Sequence, residues 1–151
     1  MLTRTVPGLI VVMVLSLFSG AAAASDGELL AEACVRSIAR TTHRTVDAVH
    51  DQRDHGVAKI RRLDDAGASD ESLVGVARRT NHRIGEIASA GAESVTDRAQ
   101  ACVRKLTDIG ADQALIDAVR AAAERARQRI GTAASNSTDV VRRVLENALD
   151  G

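Results

Sequence analysis

Apolar side chains recur along most of this chain at spacings that alternate between three and four residues, the period of an α-helix packed on one side. When each residue is turned by about 100° from the one before it, these positions fall into three narrow stripes. The pattern predicts an all-α fold of three long helices, at about residues 26–65, 70–109 and 112–149. The stripes contain Leu30, Cys34, Ile38, Thr41, Thr45, Val49, Gly56, Ile60 and Leu63; then Leu73, Ala77, Thr80, Ile84, Ile87, Gly91, Val95, Ala99, Cys102, Leu106 and Ile109; and finally Leu115, Val119, Ala123, Ala126, Ile130, Ala133, Ser137, Val141, Val144 and Ala148.

Short turns are predicted between these helices. Gly67 and Gly110 closely follow the first two stripes and can take the left-handed conformation that ends a helix. Ser25 with Glu28 forms a capping-box pattern at the start of the first helix, and Gly110 is followed after two residues by Asp112, a good start for the third. Because short loops make neighbouring helices antiparallel, we expect an elongated antiparallel three-helix bundle.

The two cysteines of the chain, Cys34 and Cys102, fit this arrangement. In an antiparallel hairpin that turns near residue 68, positions whose numbers sum to about 136 lie level with each other, and the two cysteines obey this rule. Both lie inside their stripes, so in an oxidising compartment we expect one disulfide across the helix interface. A redox-active thiol and a bridge between two molecules are the alternatives.

The same rule sets each glycine inside the first two stripes opposite a threonine, Gly56 opposite Thr80 and Gly91 opposite Thr45. A second rule relates the second and third helices: positions whose numbers sum to about 221 are expected to lie level with each other. The weak place of the third helix is residues 131–139, which are rich in mediocre helix formers. Either the third helix continues through this segment, as its unbroken stripe indicates, or a short fourth helix begins near the end of it.

The first 24 residues have the pattern of a cleaved signal peptide. Arg4 provides a basic start, residues 9–18 are an apolar run, and Ala22-Ala23-Ala24 is a small-residue cleavage site. The apolar run is too short to span a bilayer, which takes about 20 residues. We therefore expect residues 25–151 to form one bundle domain that is secreted or periplasmic and has no transmembrane segment.

The composition of that mature part argues against several classes of function. All proline, methionine and phenylalanine residues lie in the leader, and the chain has no tyrosine or tryptophan. Aromatic platforms for stacking bases and bulky walls for a ligand pocket are therefore missing. Losing Arg4 from the 20 basic residues leaves 19, against 20 acidic ones, so no net positive field attracts phosphates. We expect no nucleic-acid partner and no cofactor.

The four histidines raise the question of a metal site. The register places His50 level with Glu86, and His82 level with Asp54, but His82 and Glu86 point away from the apolar stripe of their helix. A specific site needs three or four converging ligands. We therefore interpret the histidines as solvated side chains and expect no bound metal.

Three pairs of neighbouring arginines are candidates for a surface that docks an acidic protein partner, although charged residues on helices are more often simply solvated. No nucleophile motif, phosphate-binding loop or paired acid and base accompanies them, so we expect no enzymatic activity. The sequence favours an exported structural or protein-binding module. The alternative is a lipid or envelope-surface binder that opens its bundle to expose amphipathic helices. The candidate partner surface is formed by Arg61, Arg62, Arg78, Arg79, Arg142 and Arg143.

Overall fold

The structure, a computed structural model, describes residues 25–150 of the chain. It consists of α1 (Asp26–Asp65), α2 (Asp70–Asp108) and α3 (Gln113–Leu149), and each helix packs against the other two. These residues contain no β-strand. The predicted all-α, elongated antiparallel three-helix bundle is confirmed, with every helix end within one residue of its predicted position. The predicted signal peptide, residues 1–24, lies outside the described residues.

The two turns are built in the same way, because α1 and α2 are each followed, two residues after their last helical residue, by a glycine with positive φ. Gly67 has φ 67° and Gly110 has φ 65°, as the sequence predicted. In the first turn the backbone N–H of Gly67 donates to the carbonyl of Asp64 at 2.8 Å, and that of Ala68 donates to the carbonyl of Leu63 at 2.9 Å. The same pair of bonds follows α2. This pair of backbone hydrogen bonds is the Schellman motif, which reverses the chain within a few residues.

The helix starts differ in how their N-terminal amides are capped. Ser25 and Glu28 make the predicted capping box: the Ser25 hydroxyl accepts from the Glu28 N–H at 3.3 Å, and the Glu28 carboxylate accepts from the Ser25 N–H at 2.6 Å. Ser69 and Asp112 occupy the corresponding positions of α2 and α3 without a side-chain cap bond. The hydroxyl of Ser69 instead lies 3.0 Å from that of Ser72. The start of α1 is therefore the most completely capped of the three.

The predicted register between α1 and α2 is confirmed at three points along the interface. Cys34 and Cys102 form a disulfide with their Cα atoms 6.0 Å apart. At the other two points, a Cβ built on either glycine would meet a threonine of the opposite helix, 2.9 Å from the Thr80 Cβ for Gly56 and 2.8 Å from the Thr45 Cβ for Gly91. Each glycine thus makes the space that a threonine fills.

These two contacts belong to a pattern that occurs in both helices. Each copy consists of a threonine, a β-branched residue, a glycine and a second β-branched residue. The successive spacings between these four residues are four, seven and four. All eight residues are buried, so the same interlocking contact between α1 and α2 occurs twice along their antiparallel interface. The two copies are Thr45, Val49, Gly56 and Ile60 in α1, and Thr80, Ile84, Gly91 and Val95 in α2.

The buried surface of each helix is wider than its predicted stripe. Most stripe positions are buried, but Val46 in α1, Val76 in α2 and Ile116 in α3 are buried beside them. Each helix faces two neighbours, so a second row of positions is covered. Ile109, in contrast, was predicted to belong to the buried stripe but is 54% exposed, because it is the C-cap residue that follows the last turn of α2.

The segment predicted to be weak, residues 131–139, lies inside an unbroken α3, so the alternative of a fourth helix is wrong. Ser137 is fully buried there, and its hydroxyl has no hydrogen-bond partner among the described residues. On α1 at the same level, Arg53 is 26% exposed and reaches Asp54 at 2.8 Å. This layer keeps its helical geometry although polar groups replace part of the apolar core.

Candidate docking surfaces

The six arginines predicted as a partner surface lie in the same half of the rod. Residues 61–62 are near the end of α1, 78–79 near the start of α2 and 142–143 near the end of α3, and the antiparallel arrangement brings these three ends together. Consecutive residues of a helix point about 100° apart, however. The members of each pair therefore belong to different faces, and the six do not form a single patch.

These arginines also differ in their partners. Arg142 lies 3.2 Å from Asp139 and 3.3 Å from Glu146, and the hydrogen bond that it donates to Asp139, with the charges of both carboxylates, raises its pKa. Arg143 donates to the backbone carbonyl of Asp139 at 3.4 Å. The other four make no ion pair within residues 25–150 and are exposed to solvent: Arg61, Arg62, Arg78 and Arg79.

One of these four contributes to a shallow groove between α1 and α2, close to the Gly67 turn. Arg79 lies back over Gly75, so that a Cβ on that glycine would be 3.5 Å from a guanidinium nitrogen. Lys59 lines the α1 side of the groove and Glu71 the α2 side, around a volume of about 390 Å³. The groove holds two cations and one carboxylate, so its charge is only weakly positive.

A second groove of about 410 Å³ runs between α2 and α3 in the opposite half of the rod. Ala99 and Ala123 are buried in its floor, and Thr96 lies on its α2 wall. Both floor residues are small, which leaves the two helices open toward solvent along this face. Its charged lining residues are all arginines: Arg104, Arg120 and Arg127.

The three groove arginines differ in how strongly they are engaged. Arg120 lies 3.1 Å from Asp117, and Arg127 pairs with Glu124, one turn away on α3 in each case. Arg104 makes no ion pair within residues 25–150. Exposed pairs within one helix are worth only a few tenths of a kcal/mol. These guanidinium groups can therefore exchange their intrahelical partners for an external carboxylate at little cost.

Sequence reasoning missed this groove. Arg120 and Arg127 are seven residues apart and share one face of α3, which the sequence shows. The predicted register of α2 and α3 also brings Arg104 to the same level as Arg120, within a few residues. The available signal was this combination, because neither the spacing nor the register alone identifies a set of converging arginines.

The histidines lie outside both grooves. His43 pairs with Asp47 at 2.5 Å, and His82 lies 3.4 Å from Glu86, all on exposed surfaces. Within residues 25–150, no three side chains of histidine, cysteine, aspartate or glutamate come together as a metal site would need. The hydrogen bond from Arg83 lowers the pKa of the Glu86 carboxyl, with smaller contributions from the charges of His82 and Arg83.

No protein-family model matches this sequence, and no curated protein or solved structure is significantly similar to it. Among the described residues, none of the three helices carries an apolar run long enough to cross a membrane.

Proposed function

We propose that this protein is an exported, non-catalytic binding module that uses a closed rod to present arginines to an acidic protein partner. The observation that carries the proposal is that four arginines in one half of the rod are exposed and make no ion pair among the described residues: Arg61, Arg62, Arg78 and Arg79. Arginine forms bidentate hydrogen bonds with carboxylates and loses little hydration in doing so. Such groups are well suited to recognise acidic side chains.

The interior of the rod supports the same proposal. Apart from Ser137, the fully buried side chains are aliphatic, and α1 and α2 are held in register by a disulfide and two glycine–threonine contacts. The two surface depressions described above are shallow, open grooves, whereas small-molecule sites are usually enclosed and largely apolar. A rigid rod of this kind favours contacts along its outer faces.

Export is the second half of the proposal. A disulfide that crosses the core is typical of proteins that fold in an oxidising compartment, such as a periplasm or the extracellular medium. The leader-like sequence of residues 1–24 agrees with this, so we propose that the mature protein begins near Ser25.

A charge-neutralised variant tests the partner surface. The variant Arg61→Gln/Arg62→Gln/Arg78→Gln/Arg79→Gln and the unchanged protein would be used as oxidised baits on an extract of the native cell envelope. We expect a partner with an acidic contact surface to be retained by the unchanged protein and lost with the variant. The matched control removes the same four charges elsewhere: Arg40→Gln, Arg44→Gln, Arg125→Gln and Arg129→Gln.

The outcome is decided by the difference between the two variants. Retention of the partner by the control and its loss from the first variant support the proposal. Equal loss from both would show that only net charge matters, and retention by both would contradict a role for these arginines.

The lipid-binding alternative has one observation in its favour. Leu29 and Ile109 are 53% and 54% exposed and lie at the same end of the rod, where α1 begins and α2 ends. The apolar stripes themselves are buried and would reach lipid only if the bundle opened. Flotation with anionic liposomes, before and after reduction of the disulfide, separates the proposals. Lipid binding that appears only after reduction would favour the alternative.

A further inference from the structure

Two glycines in the middle of the helices make no packing contact among residues 25–150 that requires a glycine. Residues 25–150 contain eight glycines, and six of them either adopt positive φ or lie within contact distance of another side chain at the position of a Cβ. The exceptions are Gly85 in α2 and Gly131 in α3. A Cβ built on either glycine would have no neighbouring atom within 4 Å. A mid-helix glycine destabilises a helix by about 0.5–1 kcal/mol relative to alanine. No close approach of another side chain or helix among the described residues accounts for that cost at Gly85 or Gly131.

Both glycines continue the walls of the arginine-lined groove. Gly85 lies 11 residues before Thr96, and Gly131 lies 11 residues after Arg120. Eleven residues are close to three full helical turns, so each glycine shares the face of its groove residue within about 20°. From Val103 to Gly85 the α2 wall is 18 residues long, or about 27 Å. Along this length the face offers small residues instead of bulky ones.

The charge of the face defines the chemistry of an occupant. Arg104, Arg120 and Arg127 are the charged residues that line the groove. Arg78 extends the set, because it lies 18 residues before Thr96, which is five full turns and therefore the same face of α2. A segment that fills this groove must carry carboxylates along its edges to match the guanidinium groups.

From these observations we infer that the α2–α3 face docks an acidic amphipathic helix of a partner protein. A helix laid along two others completes a four-helix arrangement, and small residues in the floor allow its axis to approach closely. Gly85 and Gly131 remove two side chains from the path of its backbone. The inference rests on the proposed function as a binding module and identifies a second surface, separate from Arg61, Arg62 and Arg79.

A second copy of this chain is a poorer match for the groove. The chain carries equal numbers of basic and acidic residues, and its exposed helix faces contain arginines among their acids. Placing such a face in an arginine-lined groove brings like charges together. A helix enriched in glutamate and alanine avoids this repulsion and satisfies all three guanidinium groups.

A synthetic peptide provides the test. The probe is an acidic helix of about 18 residues, the length of the groove, with alanines on one face and glutamates along both edges. The control peptide has the same composition in an order that destroys the amphipathic pattern. Binding to the oxidised, isotope-labelled protein is followed by NMR. We expect amide shifts confined to residues 78–104 and 120–142, and at least about tenfold weaker binding of the control peptide.

Variants of the protein assign the binding to this groove. We expect the variant Arg104→Gln/Arg120→Gln/Arg127→Gln to bind the probe about tenfold more weakly, since each exposed charge pair contributes modestly and the three act together. Gly131→Leu should weaken binding similarly by obstructing the helix, while its urea midpoint stays equal or rises because leucine favours helix. The matched control for charge, Arg40→Gln/Arg125→Gln/Arg129→Gln, should bind as the unchanged protein does.

Several outcomes would overturn the inference. These are equal binding of both peptides, equal weakening by the two triple variants, or unchanged binding by Gly131→Leu. Shifts confined to the groove around Lys59 and Arg79 would also overturn it while leaving the proposed function intact. Self-association in sedimentation experiments that Gly131→Leu abolishes would identify a second copy of the chain as the occupant instead. Loss of the natural partner from an Arg61→Gln/Arg62→Gln/Arg79→Gln variant, which keeps Arg78, but not from the variant of Arg104, Arg120 and Arg127 would overturn the inference and support the proposed function independently.

Discussion

Close contact between α1 and α2 depends on two glycines, each of which receives a threonine from the opposite helix. Gly56 and Gly91 differ from Gly85 and Gly131 only in what surrounds them, because all four lie in the middle of regular helices. The comparison of these positions therefore separates the packing role of a glycine from its intrinsic effect on helix stability.

Adding one methyl group at each kind of position should have opposite effects. Gly56→Ala places a Cβ 2.9 Å from the Thr80 Cβ, so the helices must move apart, and we expect a loss of about 1–3 kcal/mol in the free energy of unfolding. Gly85→Ala meets no neighbour and should raise that free energy by about 0.5–1 kcal/mol. Urea denaturation measures both. A shift of the two variants in the same direction would contradict the interlocking contact.

An ion pair in the middle of α1 offers a prediction about pH. The hydrogen bond from Arg53, and secondarily its charge and that of His50, lower the pKa of the Asp54 carboxyl against the opposing effect of desolvation. A lowered pKa means that the pair stabilises the fold above the ordinary pKa of aspartate and that this contribution disappears as the pH falls through the lowered value. Because Asp54 is mostly exposed, the effect on stability is small.

The pKa itself is the sharper observable. In Arg53→Gln we expect the Asp54 carboxyl to titrate at higher pH than in the unchanged protein, as followed by NMR of the side-chain carbon. The matched control is Arg83→Gln, which should raise the pKa of Glu86 and leave that of Asp54 unchanged. An Asp54 titration that is the same with and without Arg53 would contradict the ion pair.

At the scale of the elements, α3 shows that a continuous stripe outweighs weak local propensity. Residues 131–139 favour helix poorly, yet Ala133, Ser137 and Val141 keep the three-to-four spacing, and packing against α1 and α2 maintains the helix. The sequence predicted this continuity. It did not predict the width of each buried face, because the number of neighbours around a helix is a tertiary property.

The buried hydroxyl of Ser137 supplies a test of that layer. With no hydrogen-bond partner for its Oγ among the described residues, the serine costs desolvation energy, so Ser137→Ala should raise the free energy of unfolding by about 1 kcal/mol or more. Ser135→Ala, at an exposed position two residues earlier, should gain only the difference in helix propensity, about 0.5 kcal/mol. Destabilisation by Ser137→Ala would show that the hydroxyl is paired in solution.

For the whole molecule, two glycine turns and the positions of the cysteines were enough to predict the register. The turn at Gly67 fixes which residues of α1 and α2 lie level, and the disulfide is consistent with that single choice. The surface was less predictable. Which arginines converge depends on the rotation of each helix about its own axis, so adjacent arginines such as Arg78 and Arg79 separate while Arg104 and Arg120 meet in one groove.

The disulfide should stabilise the closed rod substantially. It joins residues 68 apart, and the chain-entropy relation gives about 4 kcal/mol for a loop of this length. Replacing either cysteine by serine should therefore lower the melting temperature without changing the helical content at room temperature, as circular dichroism measures. Reduction of the unchanged protein is the control and should have a similar effect. Melting that is the same in every form would contradict a stabilising bridge.

The account depends most on α1 and α2 lying antiparallel in one register, and a peptide map of the unreduced protein tests this directly. Trypsin cuts after Arg36, Arg98 and Arg104, so Cys34 and Cys102 fall in separate peptides. We predict a single cross-linked product that joins residues 99–104 to the peptide ending at Arg36, recovered from monomeric protein. Its mass also reveals whether the chain begins at Ser25. Recovery of both cysteines as alkylated free thiols, or of the cross-link only from covalent dimers, would contradict the account.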